Sequence, residues 1–111
     1  MDVNTLVEGV ESFAKLDPNM QLSTMLTLLF VARRGISNQQ DLETALGFNS
    51  AAASRNVAYW THTKFNGDTG FGFVAREEDP RDRRSKLLRL TADGKRFYDR
   101  LRLHKGTATD G

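Results

Sequence analysis

The sequence predicts a mainly α-helical fold with one small β-hairpin, in the order α-α-α-α-β-β-α. Three observations predict it. Apolar residues recur at spacings of three and four through four successive stretches up to Trp60. Two of those stretches are short and are joined by a tight turn containing Gly47. From Phe73 the pattern changes to two short runs of β type, Phe73-Val74-Ala75-Arg76 and Lys86-Leu87-Leu88-Arg89-Leu90, on either side of a charged, proline-containing stretch. A chain of 111 residues has room for one domain, expected over 1–105 with 106–111 as a disordered tail. Hydrophobic residues make up 39% of it, which suffices for one modest core, and a chain this short gains from a partner.

Residues 4–16 place Leu6, Val10, Phe13 and Ala14 on one helical stripe. Asp17-Pro18 ends that helix, because a residue before proline is driven out of the helical region. A second helix is expected from Met20 to Arg34, with apolar residues nearly all round it, the mark of a central buried helix. Arg33 and Arg34 suit the negative end of its dipole, and Gly35 suits a left-handed stop. Ser37 and Gln40 read as a capping box that opens a third helix at Asn38, with Leu42, Ala45 and Leu46 on one face and Gly47 at its end. Asn49 caps a fourth helix from Ser50, in which Ala53, Val57 and Trp60 face inward and Ser50, Ala51, Ser54 and Arg55 face outward. Residues 61–72 read as loop, and 77–85 as the long charged tip of the hairpin. Thr91 caps a last helix from Ala92 to about His104, with Phe97, Leu101 and His104 along one side.

Several classes are excluded. There is no cysteine, hence no disulfide and no thiolate metal site. The first twenty residues lack a basic start and a continuous apolar run, and the longest apolar stretch, Leu28 to Ala32, is far too short for a bilayer. A cytoplasmic location without membrane contact is expected. Charge is unevenly placed: residues 1–48 hold three Lys/Arg against six Asp/Glu, whereas 49–111 hold thirteen against eight. The basic half is the candidate for an anionic partner.

Two short helices joined by a tight turn and followed by a charged hairpin form a winged helix-turn-helix, and its physical logic divides labour on B-DNA. The second helix of the pair fits the major groove and offers its N-terminal side chains to base edges. The hairpin reaches sideways to phosphates or the adjacent minor groove. Small residues at Ser50, Ala51 and Ala52 permit close approach, and Arg55 is long enough for a guanine edge.

These residues resemble the multiple-antibiotic-resistance regulator (MarR) family of winged-helix repressors. The resemblance lies in Asp41-Leu42, Leu46-Gly47-Phe48, Ser54-Arg55-Asn56-Val57, Asp79-Pro80-Arg81-Asp82-Arg83-Arg84 and Leu90-Thr91-Ala92-Asp93-Gly94, in the family's order, over about residues 20–101. It implies a wing-tip role in the minor groove for Arg84, a supporting role for Asp82, and DNA-facing positions for Ser54 and Arg55. The chain departs from the family in two places. Thirteen residues separate Trp60 from Val74 where the family uses a few, and the long C-terminal helix of the family's dimer is curtailed. Dimerisation then falls to residues 4–16 and 92–104, and a small-molecule effector is left open.

The expected function is sequence-specific binding of double-stranded DNA by a homodimeric transcriptional regulator, in the manner of a repressor. The candidate DNA contacts are Ser50, Ala51, Ser54, Arg55, Tyr59, Lys64, Arg81, Arg83, Arg84 and Lys86, with Asp82 as wing support. Tyr59 reads equally as a packed surface residue, and Trp60 as core. Lys95, Arg96, Arg100 and Arg102 spread around their helix and read as a solvated face. His62 and His104 have no neighbour at ligand spacing, so no metal or cofactor is expected. No nucleophile, base and orienting group converge, which argues against an enzyme. The alternative is a small winged-helix accessory protein of phage or plasmid biology, acting through protein contact or non-specific DNA binding.

Overall fold

The computed structural model describes residues 2–62 and 69–110, with side chains up to Arg102. The elements are α1 (Val3–Leu16), α2 (Leu22–Arg34), β1 (Ser37–Asn38), α3 (Gln39–Leu46), α4 (Ser50–Trp60), β2 (Val74–Asp79), β3 (Asp82–Leu90) and α5 (Ala92–Asp110). They form a winged helix: four helices, a hairpin and a closing helix. A short strand, β1, is added to the predicted order.

Local chemistry explains most boundaries. The Asp2 carboxylate accepts from the Thr5 N–H at 2.8 Å and opens α1, while Asp17, extended before Pro18, closes it. The carboxylate and carbonyl of Asp17 accept from the N–H groups of Asn19 and Met20, a turn that delays α2 to Leu22 rather than the expected Met20. At α3 the capping box is Asn38 with Asp41, not Ser37 with Gln40. The reason is tertiary: Ser37 and Asn38 pair with Leu88 and Leu87 of β3, so the helix starts one residue later. Gly47, at φ 71° and ψ 27°, ends α3 in the left-handed region, where a Cβ would be strained. Asn49 Oδ1 then accepts from the Ala52 N–H at 2.8 Å and opens α4 at Ser50, as its sequence predicts.

The sheet is antiparallel in the order β1-β3-β2. Its strands run further than expected, because the charged stretch is mostly ladder rather than loop. Only Pro80 and Arg81 form the turn. Glu78 pairs with Lys86 but Asp79 pairs with Asp82, so Arg83, Arg84 and Ser85 have no partner on β2 and bulge from β3. The last helix also exceeds expectation. Its backbone is helical through Asp110, past His104 and into the segment expected as a tail. Gly106 interrupts the run of side chains, but one glycine costs a helix only about 1 kcal/mol and does not stop it. Among the described residues no helix is long and apolar enough to cross a membrane.

The core centres on Trp60, which is fully buried with Leu28, Val31, Leu42, Val57 and Leu88. Phe73 stacks on the Trp60 ring at 5.8 Å, and Phe13 and Phe97 extend the cluster towards α1 and α5. The β3–α5 junction is clasped onto this cluster. Thr91 donates its N–H to the Phe73 carbonyl (2.9 Å) and its hydroxyl to the Gly72 carbonyl (2.6 Å), and its Oγ1 accepts from the Gly94 N–H (3.1 Å).

Gly94 therefore lies against the Phe73 backbone, where an added Cβ would stand 2.1 Å from the carbonyl oxygen. Gly94→Ala is expected to lower stability by about 1–3 kcal/mol, the usual cost of overpacking. Urea unfolding measures it; an unchanged midpoint would show that the junction yields freely.

Candidate nucleic-acid interface

Helix α4 buries Ala53, Val57, Ala58 and Trp60, leaving Ser50, Ala51 and Arg55 exposed and Ser54 half-buried. A helix advances about 100° per residue, so burial of 53, 57 and 60 dictates that 51 and 55 point away from the core. The outward face is small and polar at its N-terminal end, with one long cation a turn later.

The wing carries its cations on the bulge and the turn. Arg81, Arg83 and Arg84 are nearly fully exposed, and each lies near one acid: Asp79 at 3.7 Å, Glu78 at 3.9 Å and Asp82 at 3.6 Å. Exposed pairs this loose contribute at most about 1 kcal/mol, so the guanidinium groups exchange partners readily. The acids also shape the backbone. Asp82 Oδ1 accepts from the Arg84 N–H (3.1 Å) and Oδ2 from the Ser85 hydroxyl (3.4 Å). Asp79, absent from the predicted site residues, is buried and accepts from the Arg81 N–H at 2.9 Å. The Asx-type bonds two residues forward, from Asp79 and Asp82, are a signal available in the sequence.

One cleft joins helix and wing. A space of about 540 Å³ is lined by Ser50 of α4, by Asp82, Arg84, Ser85 and Lys86 of β3, and by the first turn of α3. Gln39, Gln40 and Glu43 supply that α3 wall and are absent from the predicted contacts. Gln39 Nε2 donates to Glu43 Oε2 (3.3 Å), whereas Gln40 is exposed. Two amides in the first turn of the leading helix of the pair are the signal that points to them. Thus Ser50, Arg84, Lys86 and Asp82 come together. Arg55 does not join them: it lines a second cleft of about 430 Å³ on the other flank of α4, against the α1–α2 turn. Arg81 and Arg83 occupy the wing tip, and Ala51 and Ser54 stay on the α4 face. Lys64 lies outside the described residues.

Tyr59 is a correction. Its hydroxyl donates to Asp17 Oδ2 at 2.6 Å, and its ring packs on Trp60 and Phe71 at 5.1 and 5.7 Å. Burial, then the hydrogen bond and the negative charge of Asp17, raise its pKa well above the ordinary tyrosine value. The hydroxyl is committed within the protein rather than offered to a phosphate. Arg96 pairs with Asp93 and Arg102 with Asp99, and Lys95 and Arg100 are exposed, as on a solvated face.

No protein-family model and no curated protein matches the chain. Solved structures do. RV1404 from Mycobacterium tuberculosis superposes with a TM-score of 0.74 at 24% identity, covering 96% of this chain and 67% of that one. The transcriptional regulator Tm0710 from Thermotoga maritima gives 0.68 at 20% identity, over 96% of this chain and 72% of its own. A mutant MarR from E. coli complexed with operator DNA gives 0.63 at 17% identity, over 87% and 65%. The chain has the MarR winged-helix fold. At these identities the likeness is one of fold, and it spans the helix pair, the wing and the flanking helices together.

The Tyr59 geometry makes a pH prediction. A raised folded-state pKa means the native state holds a proton that the unfolded chain releases from about pH 10. The stabilisation is complete below that pH and is lost as pH rises above it. Wild type should therefore lose stability from about pH 10 upward more steeply than Tyr59→Phe. Parallel thermal melts with equal slopes for the two proteins would contradict the bond to Asp17.

Proposed function

We propose that this chain is a transcriptional regulator that binds duplex DNA as a homodimer. The observation that carries the reading is the cleft in which Ser50 at the start of α4 faces Arg84 and Lys86 of the wing. A phosphodiester strand running between a recognition helix and a wing meets a helix N-terminus on one side and cations on the other. In this reading α4 enters the major groove with Ser50, Ala51, Ser54 and Arg55 towards base edges. The bulge carries Arg83 and Arg84 into the flanking minor groove, with Arg81 and Lys86 on phosphates and Asp82 holding the Arg84 backbone. That a mutant MarR of similar fold is solved in complex with operator DNA supports duplex DNA as the partner.

The exposed apolar face of α1 supports the dimer in this reading. Its Val3, Leu6, Val7 and Val10 recur at helical spacing yet are 73%, 51%, 46% and 45% exposed, while Phe13 alone is buried in the core. A second copy laid along α1 and α5 covers this face and sets two recognition helices about one turn of DNA apart. Binding at a promoter then represses by occlusion.

Selection from a random duplex library, followed by titration in increasing salt, tests the reading. An enriched palindrome is expected, with affinity falling by about 0.9 log units per log unit of salt for each phosphate contacted. Arg84→Ala should weaken selected and random duplexes alike, whereas Arg55→Ala should reduce preference between them by about 5–150-fold. Salt-independent binding, or none, would sink the proposal; salt-dependent binding without an enriched sequence would favour a non-specific accessory protein. Leu6→Lys with Val10→Lys should convert a dimer to a monomer in sedimentation, and unchanged mass would remove α1 from the interface.

A further inference from the structure

The flank of α4 away from the wing carries a set of bonds that DNA contact does not require. Asn56, Tyr59 and Trp60 lie at i, i+3 and i+4; Tyr59 reaches Asp17 at the end of α1, and Asn56 and Trp60 reach Thr24 in the first turn of α2. Thr24 Oγ1 donates to Asn56 Oδ1 (2.8 Å), whose amide nitrogen donates back to the Ala52 carbonyl (3.0 Å). The Tyr59 hydroxyl donates to Asp17 Oδ2 (2.6 Å), and the Trp60 indole N–H donates to the Thr24 carbonyl (2.8 Å). Asp17 is itself fixed: it caps the end of α1 through its N–H to the Phe13 carbonyl (3.1 Å), and its Oδ1 accepts from the Asn19 N–H (2.9 Å).

The seat of α4 needs such bonds. In the first two turns the helix meets the core through Ala53 and Val57, small side chains that form a narrow ridge. Apolar burial is non-directional, so this ridge fixes the depth of α4 better than its rotation about its own axis. Hydrogen bonds are directional and weaken steeply when bent, and these lie at the edge of the helix, where a roll produces the largest shift. A roll of about 20° moves a side-chain atom roughly 6 Å from the axis by about 2 Å, enough to forfeit a base contact. Arg55 precedes Asn56 and lines the same cleft as Asp17, Thr24, Asn56 and Tyr59, so its placement is the most exposed to such a roll.

We infer that Tyr59 and Asn56 are positioning residues for base recognition: their bonds to Asp17 and Thr24 set the roll of α4, and thereby the aim of Arg55 and Ser54, without touching DNA. The inference rests on the DNA-binding reading above. It also makes the end of α1 the reference from which the recognition helix is aimed.

The test compares affinities for a library-selected duplex and for a scrambled duplex of equal length, in wild type, Tyr59→Phe, Thr24→Val, Asp17→Asn, Asp17→Ala and the Tyr59→Phe/Asp17→Ala double variant. Phenylalanine keeps the packed ring, valine keeps the threonine shape, and asparagine keeps one of the two acceptor oxygens of Asp17. Tyr59→Phe, Thr24→Val and Asp17→Ala should each lower the selected-to-scrambled ratio by about three- to tenfold through the selected duplex alone. Asp17→Asn should lose no more than Asp17→Ala, and the double variant should lose no more than the worse single one. A merely structural bond would lower the melting temperature and leave the ratio unchanged, and that result overturns the inference. So does a double variant whose loss equals the sum of the two single losses. A wild type that prefers no duplex defeats the DNA-binding reading and the inference with it, whereas a selective wild type with an equally selective Tyr59→Phe defeats the inference alone.

Discussion

The burial of Trp60 is the constraint on which the rest of the molecule depends. The indole closes α4, is shielded completely from solvent, and spends its one donor on the Thr24 carbonyl of α2. An indole buried without that acceptor would carry the desolvation cost of an unsatisfied N–H, about 1–3 kcal/mol, so ring and carbonyl fix each other. Each neighbouring layer is then located from the same ring. Phe13 brings α1, Phe71 and Phe73 bring the entry to the wing, and Tyr59 packs from within α4. The Phe73 N–H donates to the Trp60 carbonyl at 2.7 Å, so the chain leaving α4 and the chain entering β2 meet at one residue.

Electrostatics act on a different scale. The wing holds arginines and acids in near balance, yet the acids do more than neutralise. Asp79 and Asp82 use their oxygens on backbone N–H groups, which leaves the guanidinium groups facing solvent at the ends of long, loosely paired stems. Such pairs are screened by salt and replaced at little cost by a stronger anion. On the proposed reading the replacing anion is the DNA backbone, whose closely spaced phosphates offer several replacements at once.

Much of this was legible in the sequence, and the failures have common causes. Asn49 and Gly47, and Thr91 in its bond to Gly94, act on groups within four residues, so those roles could be read from spacing alone. Trp60 followed from its place on the Ala53–Val57 stripe. What escaped was set by distant partners. Ser37-Asn38 looks like a helix start until Leu87 and Leu88 pair with it from fifty residues away. Glu77 and Glu78 look like loop because their charge marks them as exposed, yet an edge strand tolerates exposed charge on one face and guards itself with it. Tyr59 looked available because nothing near it in sequence announces Asp17, whose carboxylate arrives from the end of α1. Gln39 and Gln40 were passed over since amides carry no charge pattern. The candidate interface was therefore readable in its cations and unreadable in its walls.

The pairing of β3 has a mechanical side. At Leu87 and Leu88 this strand is held from both sides, by Glu77 and Arg76 of β2 and by Asn38 and Ser37 of β1. Beyond Lys86 towards the tip it is held from one side at most, and through the bulge from neither. The wing is thus a cantilever, clamped at its root and compliant at its end. Its clamp is the two-residue strand that runs directly into the first turn of α3. On the proposed reading, bending at the tip would follow the width of a groove while the root, and the helix pair joined to it, stays still.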